Sequence, residues 1–152
     1  MKKIFLILSA LTLCVSLAFA SSEYIILKDK INVRVDSTAL SDSLGYILKN
    51  QKVNVLKEKY GWYEIRLPKN FICYIAKDLT RKISNSEIKV IGSKVNLRSS
   101  PTLEAHIIGV APKGAKLKLL DEKGQWMKIY GYPYIKGWVH SKFSSACLPA
   151  DF

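Results

Sequence analysis

The chain is poor in acid, thiol and imidazole. Against 24 lysines and arginines stand 12 aspartates and glutamates, and the whole sequence holds three cysteines and two histidines. A thiol peptidase needs a cysteine–histidine pair, and the candidates are Cys73, Cys147, His106 and His140, none in a nucleophile-type local sequence. Two isolated histidines do not make a metal site. The scarce acids fall mostly in turns (Glu58, Asp121, Glu122), without the apolar setting that raises the pKa of a general acid. The residues therefore speak against catalysis, and they call for neither cofactor nor metal.

Long apolar runs are also lacking, apart from one at the start. Met1-Lys2-Lys3 precedes an apolar stretch from Ile4 to about Leu17, followed by Ala18-Phe19-Ala20. A basic head, a short apolar middle and a small-x-small end make a signal peptide cleaved near Ala20. The run is too short for a spanning helix, so contact with a membrane is expected only during export. Cys14 is not a lipid attachment site, because Leu13 stands where a small residue is needed. Cleavage removes Lys2 and Lys3, and the formal charge falls from +12 to +10. Such a charge favours polyanions. Outside the cytoplasm those are wall polymers, lipid head groups and acidic glycans rather than nucleic acid. Scattered lysines also keep a surface soluble, and no block of five like charges is present. Cys73 and Cys147 survive cleavage and could pair in an oxidising compartment, a closure worth up to about 4 kcal/mol.

What the chain does have is repetition. Lys94-Val95-Asn96-Leu97-Arg98 restates Lys30-Ile31-Asn32-Val33-Arg34 from sixty-four residues earlier. At the same offset, and with no gap, Gly45 falls on Gly109, Glu58 on Glu122, Trp62 on Trp126, Ile65 on Ile129 and Tyr74 on Trp138. An ungapped register over about fifty residues marks a duplicated unit, too long for a stacking repeat and suited to a small domain. Short apolar runs and period-two alternation predict strands over Tyr24–Leu27, Ile31–Arg34, Gly45–Leu48, Val53–Leu56, Trp62–Leu67 and Phe71–Ile75, and over their counterparts from Ile88 onward. A Ser- and Asp-rich stretch from Asp36 to Ser43 reads as an irregular loop, and Gly131–Tyr134 as the tip of a hairpin. The expected organisation is a signal peptide over 1–20, a first domain over 24–80, a polar linker over 81–87, a second domain over 88–145 and a tail over 146–152. About five short strands in some 58 residues point to a small antiparallel barrel, able to fold alone with little margin. The fold class is all-β, two barrels in tandem.

Val95-Asn96-Leu97-Arg98-Ser99-Ser100-Pro101, Ile108-Gly109, Lys113-Gly114, Gln125-Trp126-Met127-Lys128-Ile129 and Gly137-Trp138-Val139 resemble the bacterial SH3 (SH3b) domain. The first copy matches more weakly, with Asp36-Ser37 in place of Ser-Pro and Cys73-Tyr74-Ile75 in place of Gly-Trp-Val. The resemblance implies an SH3-like barrel and a binding role, commonly at the cell wall.

Strand parity suggests where a ligand would sit. Lys128 marks the wet face of its strand, so Trp126 shares that face; Trp138 and His140 stand together opposite Val139, and Phe143 follows. These four would form a stacking platform for a sugar ring or a flat peptide. The equivalent set in the first copy is Trp62, Tyr74, Ala76 and Leu79, so the second copy is expected to bind and the first to support it. Tyr130, Tyr132 and Tyr134 add aromatics at a loop tip, and Arg98, like Arg34, either meets a carboxylate or braces its loop. The expected partner of this exported, periplasmic or extracellular protein is a cell-wall glycan or peptide, with an envelope protein as the alternative.

Overall fold

The computed structural model describes residues 22–146, so the expected signal peptide, Cys147 and most of the tail lie outside the described residues. Alternation becomes strand wherever it is present. The first copy supplies β1 (Ser22–Ile26), β2 (Lys30–Arg34), β3 (Ser43–Leu48), β4 (Lys52–Lys59), β5 (Trp62–Arg66) and β6 (Ile72–Ala76). A 3₁₀ turn over Lys77–Leu79 then leads into β7 (Thr80–Ser84). The second supplies β8 (Glu87–Val90), β9 (Val95–Arg98), β10 (Ile107–Ala111), β11 (Lys116–Lys123), β12 (Trp126–Tyr130) and β13 (Lys136–His140). It closes with a 3₁₀ turn over Ser141–Phe143 and β14 (Ser144–Ala146).

The expected linker over 81–87 is therefore a β-hairpin: β7 pairs antiparallel with β8 from Thr80 opposite Val90 to Ser84 opposite Glu87. Its outer strand is exposed on both faces and so carries no alternation to read.

The fold is all-β, two small antiparallel barrels, but the sheets do not follow the sequence copies. One seven-stranded sheet runs β14-β1-β4-β5-β13-β2-β3, the other β7-β8-β11-β12-β6-β9-β10. The two orders match strand for strand at the sixty-four-residue offset except that the closing segments have changed places. β6, its turn and β7 complete the sheet of the second copy; β13, its turn and β14 complete that of the first. Strand β13 lies against β5 from Lys136 opposite Arg66 to His140 opposite Trp62, and reaches β2 at Trp138 opposite Arg34. Strand β6 lies in the same way between β12 and β9.

Gly131–Tyr134 is accordingly not a hairpin tip, because β12 and β13 belong to different sheets. It is a crossover, and 67–71 is its twin. The two crossovers run side by side and bond to each other, Leu67 N–H donating to Ile135 O at 3.0 Å and Gly131 N–H to Phe71 O at 3.4 Å. Arg66 adds a bond from its guanidinium to Pro133 O at 3.2 Å.

Side-chain volume at the crossing is arranged for this exchange. A Cβ on Gly137 would stand 2.6 Å from Val33 Cγ1 and 3.0 Å from Leu67 Cδ2. A Cβ on Gly131 would stand 2.6 Å from both Cys73 Sγ and Ile135 Cγ2. Gly137 occupies the repeat position of Cys73, and Leu67 that of Gly131. Each small residue thus meets the large residue of the other copy. With each closing strand kept at home, Cys73 would crowd Leu67 while Gly137 and Gly131 left a void. Interiors near crystal density penalise both.

The buried core runs through both barrels, from Ile26, Val33, Ile47, Ile65 and Val139 to Ile75, Ile88, Leu97, Met127 and Ile129. Every one of these side chains sits on the inward parity of its strand. Cys73 is fully buried and has no disulfide partner among the described residues, and burial pushes its thiol pKa up to about 12.

Candidate aromatic grooves

The exchange redistributes the aromatic residues singled out above. Trp126, Trp138, His140 and Phe143 do not form one platform. Trp138 is buried, with 7% of its surface exposed. Its parity would place it in solvent if the barrel stood alone. The partner barrel comes up against it, as Gly109 on β10 bridges Ile135 beside β13, and the Lys57 ammonium lies 5.3 Å above the indole. The cleft where the barrels meet, about 410 Å³, contains Glu64, Tyr134, Lys136 and Trp138. Its carboxylate is already held by Lys57 at 3.5 Å and Lys136 at 4.0 Å.

His140 and Phe143 arrive with β13 and its turn on the first barrel, where they meet Trp62. The Trp62 and His140 ring centroids are 5.1 Å apart and those of His140 and Phe143 5.8 Å, tilted at 48° and 57°. These are edge-inclined contacts worth about 1 kcal/mol each. Lys28 and Lys142 place their ammonium groups 4.6 and 4.8 Å from the Phe143 ring. Ser141 Oγ donates to Gly61 O at 2.8 Å and Leu27 N–H to Phe143 O at 2.9 Å, which locks the turn down. Three half-buried aromatic rings fill the groove of the first barrel.

The same groove in the second barrel is open. β6 and its turn deliver Ala76 and Leu79 where the first barrel has His140 and Phe143, and a hollow of about 210 Å³ is left beside Trp126. Leu79 and Leu103 form apolar walls, 38% and 72% exposed. Gly92 gives the floor its depth, since a Cβ there would meet Val95 Cγ2 at 2.7 Å. Arg98 is a brace: its Nη1 donates to Leu103 O and Ala105 O, both at 2.8 Å, and holds the loop that carries Leu103. Arg34 holds its own loop through Ser41 O. Tyr74 lies on β6 opposite Arg98 and Lys128, half-buried. Tyr130 and Tyr132 lie apart from both grooves, beside the crossovers.

Sequence reading thus found the aromatic positions but assigned them to the wrong neighbours. The compensating departures from the repeat at 67/131 and 73/137 were the available signal. Among the described residues no three His, Cys, Asp or Glu side chains converge to hold a metal.

The model of the bacterial SH3 domain matches residues 29–80 and again 93–145. A curated protein of Bacillus subtilis (strain 168), named "Putative N-acetylmuramoyl-L-alanine amidase YrvJ", is 26% identical over 137 aligned residues. The match covers 84% of this chain and 26% of that protein, so the chain spans about a quarter of its relative's length. On two matched segments that together exceed half its length, the chain belongs to the bacterial SH3 domain family.

Proposed function

We propose that this protein is an exported, non-catalytic binding protein that holds peptidoglycan through the open groove of its second barrel. The observation that carries the reading is the hollow beside Trp126, with an indole face, two leucine walls and a loop fixed by Arg98. A concave apolar site with an aromatic wall suits a short peptide or the flat face of a sugar. Membership in the family and similarity to a protein named as a putative N-acetylmuramoyl-L-alanine amidase support a wall polymer as the ligand. The filled groove of the first barrel offers the Trp62–His140–Phe143 rings as a second, flatter contact.

Sedimentation with purified insoluble peptidoglycan tests this. Trp126→Ala should lower the bound fraction at least tenfold at constant salt, with the circular dichroism spectrum unchanged. Filling the hollow with Ala76→His and Leu79→Phe, on the pattern of the first barrel, should do the same. Undiminished binding by both variants would end the proposal.

A further inference from the structure

The geometry points to a second binding site on the outer face of the second sheet, a track for a polyanionic glycan that ends in a tyrosine cleft. The track begins as a row of like charges. Arg81 on β7 stands directly opposite Lys89 on β8, and Lys89 directly opposite Lys116 on β11. Residues in direct register share one face, and neighbouring strands lie about 4.8 Å apart, so three cations span roughly 10 Å. All three are exposed, and among the described residues none has a carboxylate within ion-pair distance. Like charges placed directly opposite one another weaken a sheet. The cost persists unless an anion lies across them.

Two positions on from Lys116 and on the same face, Lys118 stands directly opposite Glu87 on β8 and places its ammonium 5.7 Å from the Tyr130 ring. Across the cleft, Lys69 on one crossover stands 5.7 Å from the ring of Tyr132 on the other. Lys69, Lys116, Lys118, Tyr130 and Tyr132 line a hollow of about 390 Å³. It combines ammonium groups for oxyanions with ring faces and phenol hydroxyls for a sugar. Because Lys69 comes from the first copy and Tyr132 from the second, the strand exchange builds the site.

The duplication supplies an internal control. The corresponding row on the first sheet is Ser145, Ile25 and Lys52, with a single cation that is bonded to Glu23 at 2.9 Å. The positions of Lys118, Tyr130 and Tyr132 are held there by Asn54, Arg66 and Pro68. The fold therefore does not require the basic row, and one sheet alone carries it. The ligand that fits is a linear sugar polymer bearing a carboxylate or phosphate on successive units.

This inference extends the envelope-binding reading but is tested apart from it, with soluble polymers and the Trp126 groove left intact. Polygalacturonate, dextran sulfate, neutral dextran and inorganic polyphosphate are titrated against the full chain by calorimetry. The anionic polysaccharides should bind and neutral dextran should not. Arg81→Gln/Lys89→Gln/Lys116→Gln should weaken their binding at least tenfold and flatten its salt dependence. A control of equal charge loss, Lys49→Gln/Lys59→Gln/Lys123→Gln, should change binding less than threefold. Tyr130→Ala/Tyr132→Ala should weaken polygalacturonate about tenfold and leave polyphosphate unchanged. Equal losses in the two lysine triples would reduce the site to net charge and overturn it. So would polygalacturonate binding that is unchanged by the tyrosine substitutions. Because Trp126→Ala is predicted to spare these titrations, failure of the groove and failure of the track are distinguishable.

Discussion

The two barrels share a strand plan, and they differ at the segments they have traded. The first receives His140 and Phe143 and closes its groove around Trp62; the second receives Ala76 and Leu79 and keeps its groove open beside Trp126. The first sheet presents one paired lysine where the second presents three cations in a row with no acidic partner among the described residues. A duplicated unit gains a new surface most cheaply by altering the side chains on one copy while the inward residues of both stay apolar. Here the alteration also crosses from copy to copy, so each site is a joint product of both halves of the sequence.

The sharpest way to break the comparison is to separate the copies. Residues 22–84 alone retain β1 to β5 but lose β13, the inner strand that the first sheet places between β5 and β2. The fragment should lose cooperative unfolding or associate into dimers that trade strands, as followed by circular dichroism and size exclusion. The full chain should melt in one transition. A monomeric fragment with the full chain's midpoint would show that the exchange contributes nothing to stability, and the independent folding expected from the sequence would then stand.

A finer test addresses the volumes at the crossing. Gly131→Leu alone drives a side chain into Cys73 and Ile135 and should cost about 1–3 kcal/mol. Cys73→Gly alone leaves a gap and should cost about 1–2 kcal/mol. Together they rebuild in the second barrel the Leu67–Gly137 pairing of the first. The double variant should therefore be less damaged than the sum of the singles, with a coupling of about 0.5–3 kcal/mol from denaturant titrations. Strict additivity would remove the packing account of the exchange.

The smallest effect concerns Glu122, which joins the traded segment to its host. Its two oxygens accept from Lys77 and Lys82, both at 2.7 Å, on the turn and the strand that follow β6. These lysines hold the carboxyl down to about 2, from an ordinary value of 4.5. At the sixty-four-residue offset the positions of Lys77, Lys82 and Glu122 are held by Ser141, Ala146 and Glu58, so the other set has the acid but neither lysine. A depressed carboxyl pKa contributes stability that is present in full above 4.5 and is lost as the pH falls toward 2. The pair is partly exposed, so the signature to measure is the carboxyl chemical shift, which should titrate near 2 for Glu122. A midpoint near 4.5 would mean that the two lysines do not hold it.

Much of this molecule was legible in its residues. Alternation located nearly every strand, because a half-buried strand must place apolar side chains on one face. The sixty-four-residue register gave the duplication; Trp126 lines the open hollow of the second barrel, and Trp62 packs against His140. Three readings went astray for related reasons. Gly131–Tyr134 carries turn residues, and turn chemistry does not say which sheet the next strand will join. The segment over 81–87 is polar because β7 is exposed on both faces, and an edge strand of that kind resembles a linker. Trp138 has the parity of an exposed residue, but parity describes one sheet and cannot foresee a second barrel against its outer face.

By itself the sequence determined the elements: which stretches extend, which faces point inward, that one unit occurs twice, and that the chain is basic. Those properties are local, set by side-chain period and composition. Tertiary structure alone decided which copy each closing strand completes, and with it which aromatics share a groove and which lysines share a face. That choice turns on whether Cys73 meets Gly131 or Leu67 and whether Gly137 meets Leu67 or Gly131, contacts between residues 58 and 70 positions apart in one case and six positions apart within one copy in the other. Because both arrangements satisfy the same alternation, the filling of space had to choose between them.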